Sequence, residues 1–116
     1  MLTVYGIKNC NTVKKALDFL NENKIEYQFH DYKKQGISKA KLESWSRQTG
    51  YESLINKKGT TWRSLDEDVK KSISSKKAAI DLMAEKTSVI KRPLMEENVK
   101  VLVVGFDEEK YKEIFL

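Results

Sequence analysis

The chain is poor in the residues that would cross-link it, hold a metal or break it into pieces. One cysteine in 116 residues excludes an intramolecular disulfide and points to a reducing compartment. With a single histidine as well, a zinc site lacks its usual ligands, and no metal is expected. One proline and five glycines leave no flexible linker, and no segment is repetitive or low in complexity. No apolar run approaches the ~20 residues of a membrane helix, and the N-terminus shows no secretory leader pattern. A cytoplasmic protein without a membrane role is therefore expected.

Arginine is scarce too, because nearly all of the 22 basic residues are lysine. The lysines fall in dispersed pairs such as Lys14-Lys15, Lys33-Lys34 and Lys76-Lys77, a solvated surface rather than a nucleic-acid stripe. Direct nucleic-acid binding is not expected despite the net charge of +5. The scarcity singles out Arg47, Arg63 and Arg92, since a guanidinium clamps an oxyanion with two donors where lysine offers a point charge. A hydrophobic fraction of 40% over this length fits one domain, residues 1–116.

The informative stretch is Val4 to Lys15. Leu2 to Tyr5 predicts a strand, Gly6 to Asn9 a tight loop, and a helix pattern begins just after Cys10. The only sulfur able to ionise thus stands where a loop enters a helix, facing free backbone N–H groups. A thiol there is biased toward thiolate, the form that attacks electrophiles, although a lone cysteine is commonly just a small buried apolar residue. A helix terminus supplies about 0.3–1 kcal/mol, up to ~2 when partly buried. One pKa unit is about 1.4 kcal/mol, so strong activation requires cations as well.

Val13, Ala16, Leu17 and Leu20 form the inner stripe of the first helix, which ends near Asn23. Ile25, Tyr27 and Phe29 alternate as a second strand, and so short a strand–helix–strand span predicts a parallel pair. His30 falls at the strand end and is given a structural role. Ile37-Ser38 reads as a hydrophobic staple and cap before a helix carrying Leu42 and Trp45, closed by Gly50. Tyr51 to Ile55 is a short apolar piece, and Asn56 to Arg63 is a polar loop. Ser64 with Glu67 has capping-box spacing ahead of Leu65, Val69 and Ile73. Ser75 caps a further helix with Ala79, Ile80, Met83 and Ala84 on its inner face. Residues 37–87 are therefore expected to form a helical insert. Both tryptophans are assigned to packing.

Past the insert, Pro93 opens a strand, where its missing N–H is tolerated and the preceding bond is a candidate for cis. Glu96-Glu97-Asn98 turns the chain into the β-branched strand Val99 to Val104, an antiparallel hairpin. Asp107 caps a last helix, with Phe106 reaching Tyr111 and with Ile114 and Phe115 inward. The order β-α-β, helical insert, β-β-α is that of an α/β, thioredoxin-like fold with a mixed four-stranded sheet. By that analogy Arg92 lies beside Cys10, and Lys14 stands one turn into the same helix.

Five stretches resemble the arsenate reductase-related ArsC/Spx family, most closely its YffB-like branch. They are Tyr5 to Lys15, Phe29 to Lys34, Asn56 to Arg63, Ile90 to Pro93, and Val104 to Phe106, so the likeness runs nearly end to end. The resemblance implies a catalytic Cys10 with Arg63 and Arg92 around an anion pocket. Asn11, Thr12, Lys14 and Pro93 complete the surrounding set. Arsenate reductases of this type carry a histidine four residues before the cysteine, an arginine four after, and a further arginine late in the chain. The matching positions here are Gly6, Lys14 and Gly105, which implies weak bidentate capture of arsenate. Spx regulators bind RNA polymerase and carry a CxxC switch, whose second position is Val13 here.

The expected function is a bacterial, glutathione-dependent thiol oxidoreductase with no bound cofactor. Cys10 attacks a small oxidised or oxyanionic substrate. Glutathione or a glutaredoxin-like thiol donor resolves the adduct, since the chain holds no second sulfur that could form a disulfide. Two alternatives stand beside it: an Spx-like partner of RNA polymerase, and a true arsenate reductase.

Overall fold

Alternation in Leu2-Thr3-Val4-Tyr5 sends Leu2 and Val4 to one face of a strand and Tyr5 to the other. In the computed structural model, which describes residues 1–116, that strand is β1 (Thr3–Gly6). Then come α1 (Asn11–Glu22), β2 (Gln28–Asp31) and a single helical turn, α2 (Tyr32–Gln35). The strand β2 is shorter than the alternation suggested. Ile25 and Tyr27 precede it and pack on the core from outside the ladder. The turn α2 had no periodic signal; Asp31 Oδ1 accepts the Lys33 N–H at 2.9 Å and starts it.

The chain divides into two compact units, Met1–Gln35 with Arg92–Leu116, and Gly36–Lys91. The first holds the whole sheet, whose order is β2-β1-β3-β4 with β3 (Leu94–Glu97) and β4 (Lys100–Val104). Strands β1 and β2 run parallel, while β1–β3 and β3–β4 are antiparallel. A last helix, α8 (Glu108–Phe115), follows Asp107, whose carboxylate accepts the Lys110 N–H at 3.2 Å. This is a thioredoxin-like fold with a mixed four-stranded sheet and a helical insertion in mid-chain.

One face of the sheet presents Leu2, Val4, Met95 and Val103 to Ala16, Phe19 and Leu20 of α1 and Tyr111 of α8. Each large apolar side chain fully buried there contributes about 1.5–3 kcal/mol. Phe106 meets the Tyr111 ring edge-on at 5.0 Å, the expected staple, but Ile114 is exposed. Phe115, four residues on from Tyr111, takes the inner position one turn later, and Ile114, three residues on, falls at the side of that stripe. The opposite face carries Tyr5, His30 and Glu96 (register Tyr5↔His30), and the Tyr5 hydroxyl donates to Glu96 Oε1 at 3.0 Å. The His30 and Tyr5 rings lie 4.8 Å apart, so the histidine is a packing partner within the strand.

The second unit contains α3 (Lys39–Thr49), α4 (Tyr51–Leu54), α5 (Thr60–Arg63), α6 (Glu67–Ser72) and α7 (Lys76–Glu85). Ser38 and Ser75 cap α3 and α7, accepting the N–H groups of Lys41 and Ala78. Leu42 and Trp45 are buried on α3, which packs on α7, where Ala79, Ile80, Leu82 and Met83 are buried and Ala84 is only partly so. The expected capping box at Ser64 is absent. Ser64 closes α5 instead, and α6 starts after Asp66 with no buried residue, Val69 included. Of the three expected apolar positions only Val69 falls inside α6, too few to commit so short a helix to a core. Ile55 bridges Ile90, and the Lys91 N–H donates to Leu54 O at 2.7 Å, tying the ends of this unit together. No helix is long and apolar enough to cross a membrane.

The hairpin turn differs from expectation by two residues. The strand β3 runs on to Glu97, and Asn98 and Val99 form the turn with φ of 51° and 59°. Val99 therefore leaves the ladder and is 70% exposed.

Candidate active site

Cys10 is the residue before the first turn of α1, with extended backbone angles (φ −142°, ψ 121°), and its carbonyl accepts the Lys14 N–H at 2.9 Å. The thiol is free and half-buried. Burial by itself pushes its pKa up. That push is overcome by the Val13 N–H, a hydrogen bond from the Arg92 side chain, the Thr12 N–H and the Arg92 charge, and the net direction is down. The two backbone N–H groups reach the sulfur without the alignment of a strict capping hydrogen bond, so they act on the anion chiefly as oriented dipoles. The guanidinium supplies the second contribution that the helix terminus alone lacks.

Arg92 comes to the thiol from the start of β3. Its bond to Pro93 is cis, Pro93 is buried, and the Pro93 carbonyl accepts the Gly105 N–H at 2.7 Å. Asn11 and Thr12 are exposed at the first two positions of α1, and Lys14 is exposed one turn further. Arg63 is the last residue of α5 in the other unit, and its carbonyl accepts from Lys70 Nζ at 3.2 Å. The first unit thus brings together Cys10, Thr12, Val13 and Arg92.

A buried phenol beside the arginine was not anticipated. Tyr32 is 2% exposed, and Arg92, Tyr5 and Glu96 all lie within electrostatic range of its hydroxyl. Burial first, then Tyr5 and Glu96, push its pKa up against Arg92, so the phenol stays protonated. Tyr5 is held neutral in the same way, by burial and by its bond to Glu96. The alternation of β1, which sends Tyr5 away from Val4, was the available signal for this cluster. No three His, Cys, Asp or Glu side chains gather where they could hold a metal ion.

A family model for ArsC matches residues 5–114. The chain belongs to the ArsC family. Two solved structures frame it. The YffB protein is 40% identical, with each chain fully covered and a TM-score of 0.93. An arsenate reductase (ArsC) related protein from Brucella melitensis is 41% identical over 98% of this chain and 93% of its own, with a TM-score of 0.78. Among curated proteins, the global transcriptional regulator Spx of Streptococcus pyogenes is 29% identical over 115 residues, 97% of this chain and 83% of its own.

Proposed function

We propose that the protein is a glutathione-dependent thiol oxidoreductase working through Cys10 alone. The observation that carries this reading is the half-buried sulfur at the entry of α1, whose pKa is lowered by the Val13 and Thr12 N–H groups and by Arg92. Its thiolate attacks one sulfur of an oxidised thiol; the S–S bond breaks, one half leaves as thiolate, and the other stays on Cys10. A glutathione thiolate then attacks that mixed disulfide and releases Cys10. Arg92 binds the anionic part of substrate or glutathione, Asn11, Thr12 and Lys14 flank it, and Pro93 borders the site.

Mass spectrometry after exposure to oxidised glutathione tests the reading. A single glutathione adduct is expected on Cys10, absent in Cys10→Ser and formed several-fold more slowly in Arg92→Ala. Failure of Cys10 to form any adduct would overturn it.

The 29% identity to Spx favours a second reading, a regulatory partner of RNA polymerase on the same scaffold. Co-purification of polymerase subunits with both wild type and Cys10→Ser would favour it over catalysis. For arsenate reduction itself the backbone offers less support. Gly105 has φ of +86°, a conformation suited to glycine and strained for the arginine of arsenate reductases. Arsenate turnover is accordingly expected to be weak beside disulfide exchange.

A further inference from the structure

Between α1 and the edge strand β2 lies a groove of about 370 Å³. Val13 and Leu17 line it from the helix, Tyr27 and Phe29 from the sheet side, and Lys8 and Lys14 stand at one end. Val13 joins this groove to the thiol, for its N–H reaches the Cys10 sulfur while its side chain lines the wall. Gly6 makes the close fit possible. A Cβ there would meet Val13 Cγ2 at 3.0 Å, tighter than ordinary contact, so the helix wall would have to give by a few tenths of an ångström, while Phe29 Cε1 at 3.6 Å would only be touched.

The groove has a direction. At 1.5 Å per residue, its lining on α1, from Val13 to Asn21, runs for about 12 Å along the helix and away from the Cys10 end. Lys8 and Lys14 are exposed at the thiol end, and Asp18 lies one helical turn beyond Lys14. Positive charge therefore sits at the Cys10 end of the lining, apolar surface follows, and the one carboxylate of the lining lies further along the helix. A volume near the lower end of the usual ~300–1,000 Å³ range suits a single small arm rather than a segment of a folded partner.

We propose that this groove binds the apolar, carboxylate-bearing half of an organic disulfide substrate, with its scissile sulfur at Cys10 and its carboxylate between Lys8 and Lys14. The proposal rests on the thiol-exchange reading above and adds the class of substrate. The step is the same exchange: the Cys10 thiolate forms a bond to one sulfur, the S–S bond breaks, and the other half departs as thiolate. No external oxidant or reductant enters.

Stopped-flow rates with three disulfides test it: dithiobis(nitrobenzoate), an aryl disulfide with carboxylates; dithiodipyridine, aryl and uncharged; and hydroxyethyl disulfide, small and uncharged. Each rate is divided by that of a free thiol with the same reagent, which removes intrinsic reactivity. The normalised rate is expected to be greatest for the nitrobenzoate, about tenfold above hydroxyethyl disulfide. Leu17→Gln should lower the aryl-over-hydroxyethyl ratio several-fold. Lys8→Gln, in an exposed loop, should lower the nitrobenzoate-over-dipyridine ratio. Ratios near one in wild type, or unchanged in both variants, overturn the groove assignment while leaving the thiol chemistry standing. A wild-type Cys10 no faster than a free thiol with all three reagents overturns the thiol chemistry, and this proposal with it.

Discussion

The Arg92 guanidinium acts on the Cys10 thiol and helps hold its pKa below the ordinary value, linking the approach to β3 with the start of α1. The contact depends on β3 lying beside β1 in the sheet. It places a permanent cation against a group that titrates, so protonation of the thiol and the chemistry of the site are set by the same pair.

Arg92→Ala should raise the Cys10 pKa, because both the hydrogen bond and the charge that favour the thiolate are lost while the burial that opposes it stays. The pH profile of iodoacetamide alkylation should move to higher pH, with the rate below the inflection falling several-fold. An unshifted profile would remove Arg92 from the account of reactivity.

The same lowered pKa links stability to pH. A thiol whose folded-state pKa lies below its ordinary 9.0 contributes stability that is full above that value. The contribution disappears as pH falls through the folded pKa. Urea denaturation of wild type and Cys10→Ser should therefore show a difference that favours wild type more at about pH 9 than at about pH 5. A constant difference would mean that the thiol titrates alike in both states.

Tyr5→Phe removes the buried hydrogen bond to Glu96, whose side chain is 5% exposed. Loss of a partner to a buried polar group costs about 1–3 kcal/mol. Thermal or urea unfolding should show that loss, with the ring contact on His30 kept.

Val99 occupies a left-handed backbone conformation (φ 59°) at the tip of the β3–β4 hairpin. A β-branched side chain is strained there, and Asn-Gly is the pair such a turn favours. Val99→Gly should stabilise the protein by about 0.5–1 kcal/mol, the relief of strain being partly offset by the greater freedom of glycine in the unfolded chain. Unfolding at a lower urea concentration than wild type would contradict it.

Local features were legible where they depend on residues within one helical turn. Ser38, Ser75 and Asp107 cap where their spacing said they would, and α1 begins after Cys10. The false box at Ser64 shows the limit, since Asp66 competes for the same turn and takes the position before α6. The hairpin turn was misplaced because Val99 has strong strand propensity, yet the register Glu97↔Lys100 leaves it in the bend.

Short-range order in the sequence determined the helix that begins after Cys10, the apolar stripe behind it and the strand on either side, because each follows from hydrogen bonds and side-chain periods spanning a few residues. Tertiary structure decided what faces the sulfur, and only the fold analogy, not any local pattern, anticipated Arg92 there. Arg92 meets it, Tyr32 is buried near that guanidinium, and Tyr5 pairs with Glu96. Those meetings follow from the order β2-β1-β3-β4, which sets strands distant in sequence side by side. Strand order is a property of the packed sheet, and no local period encodes it.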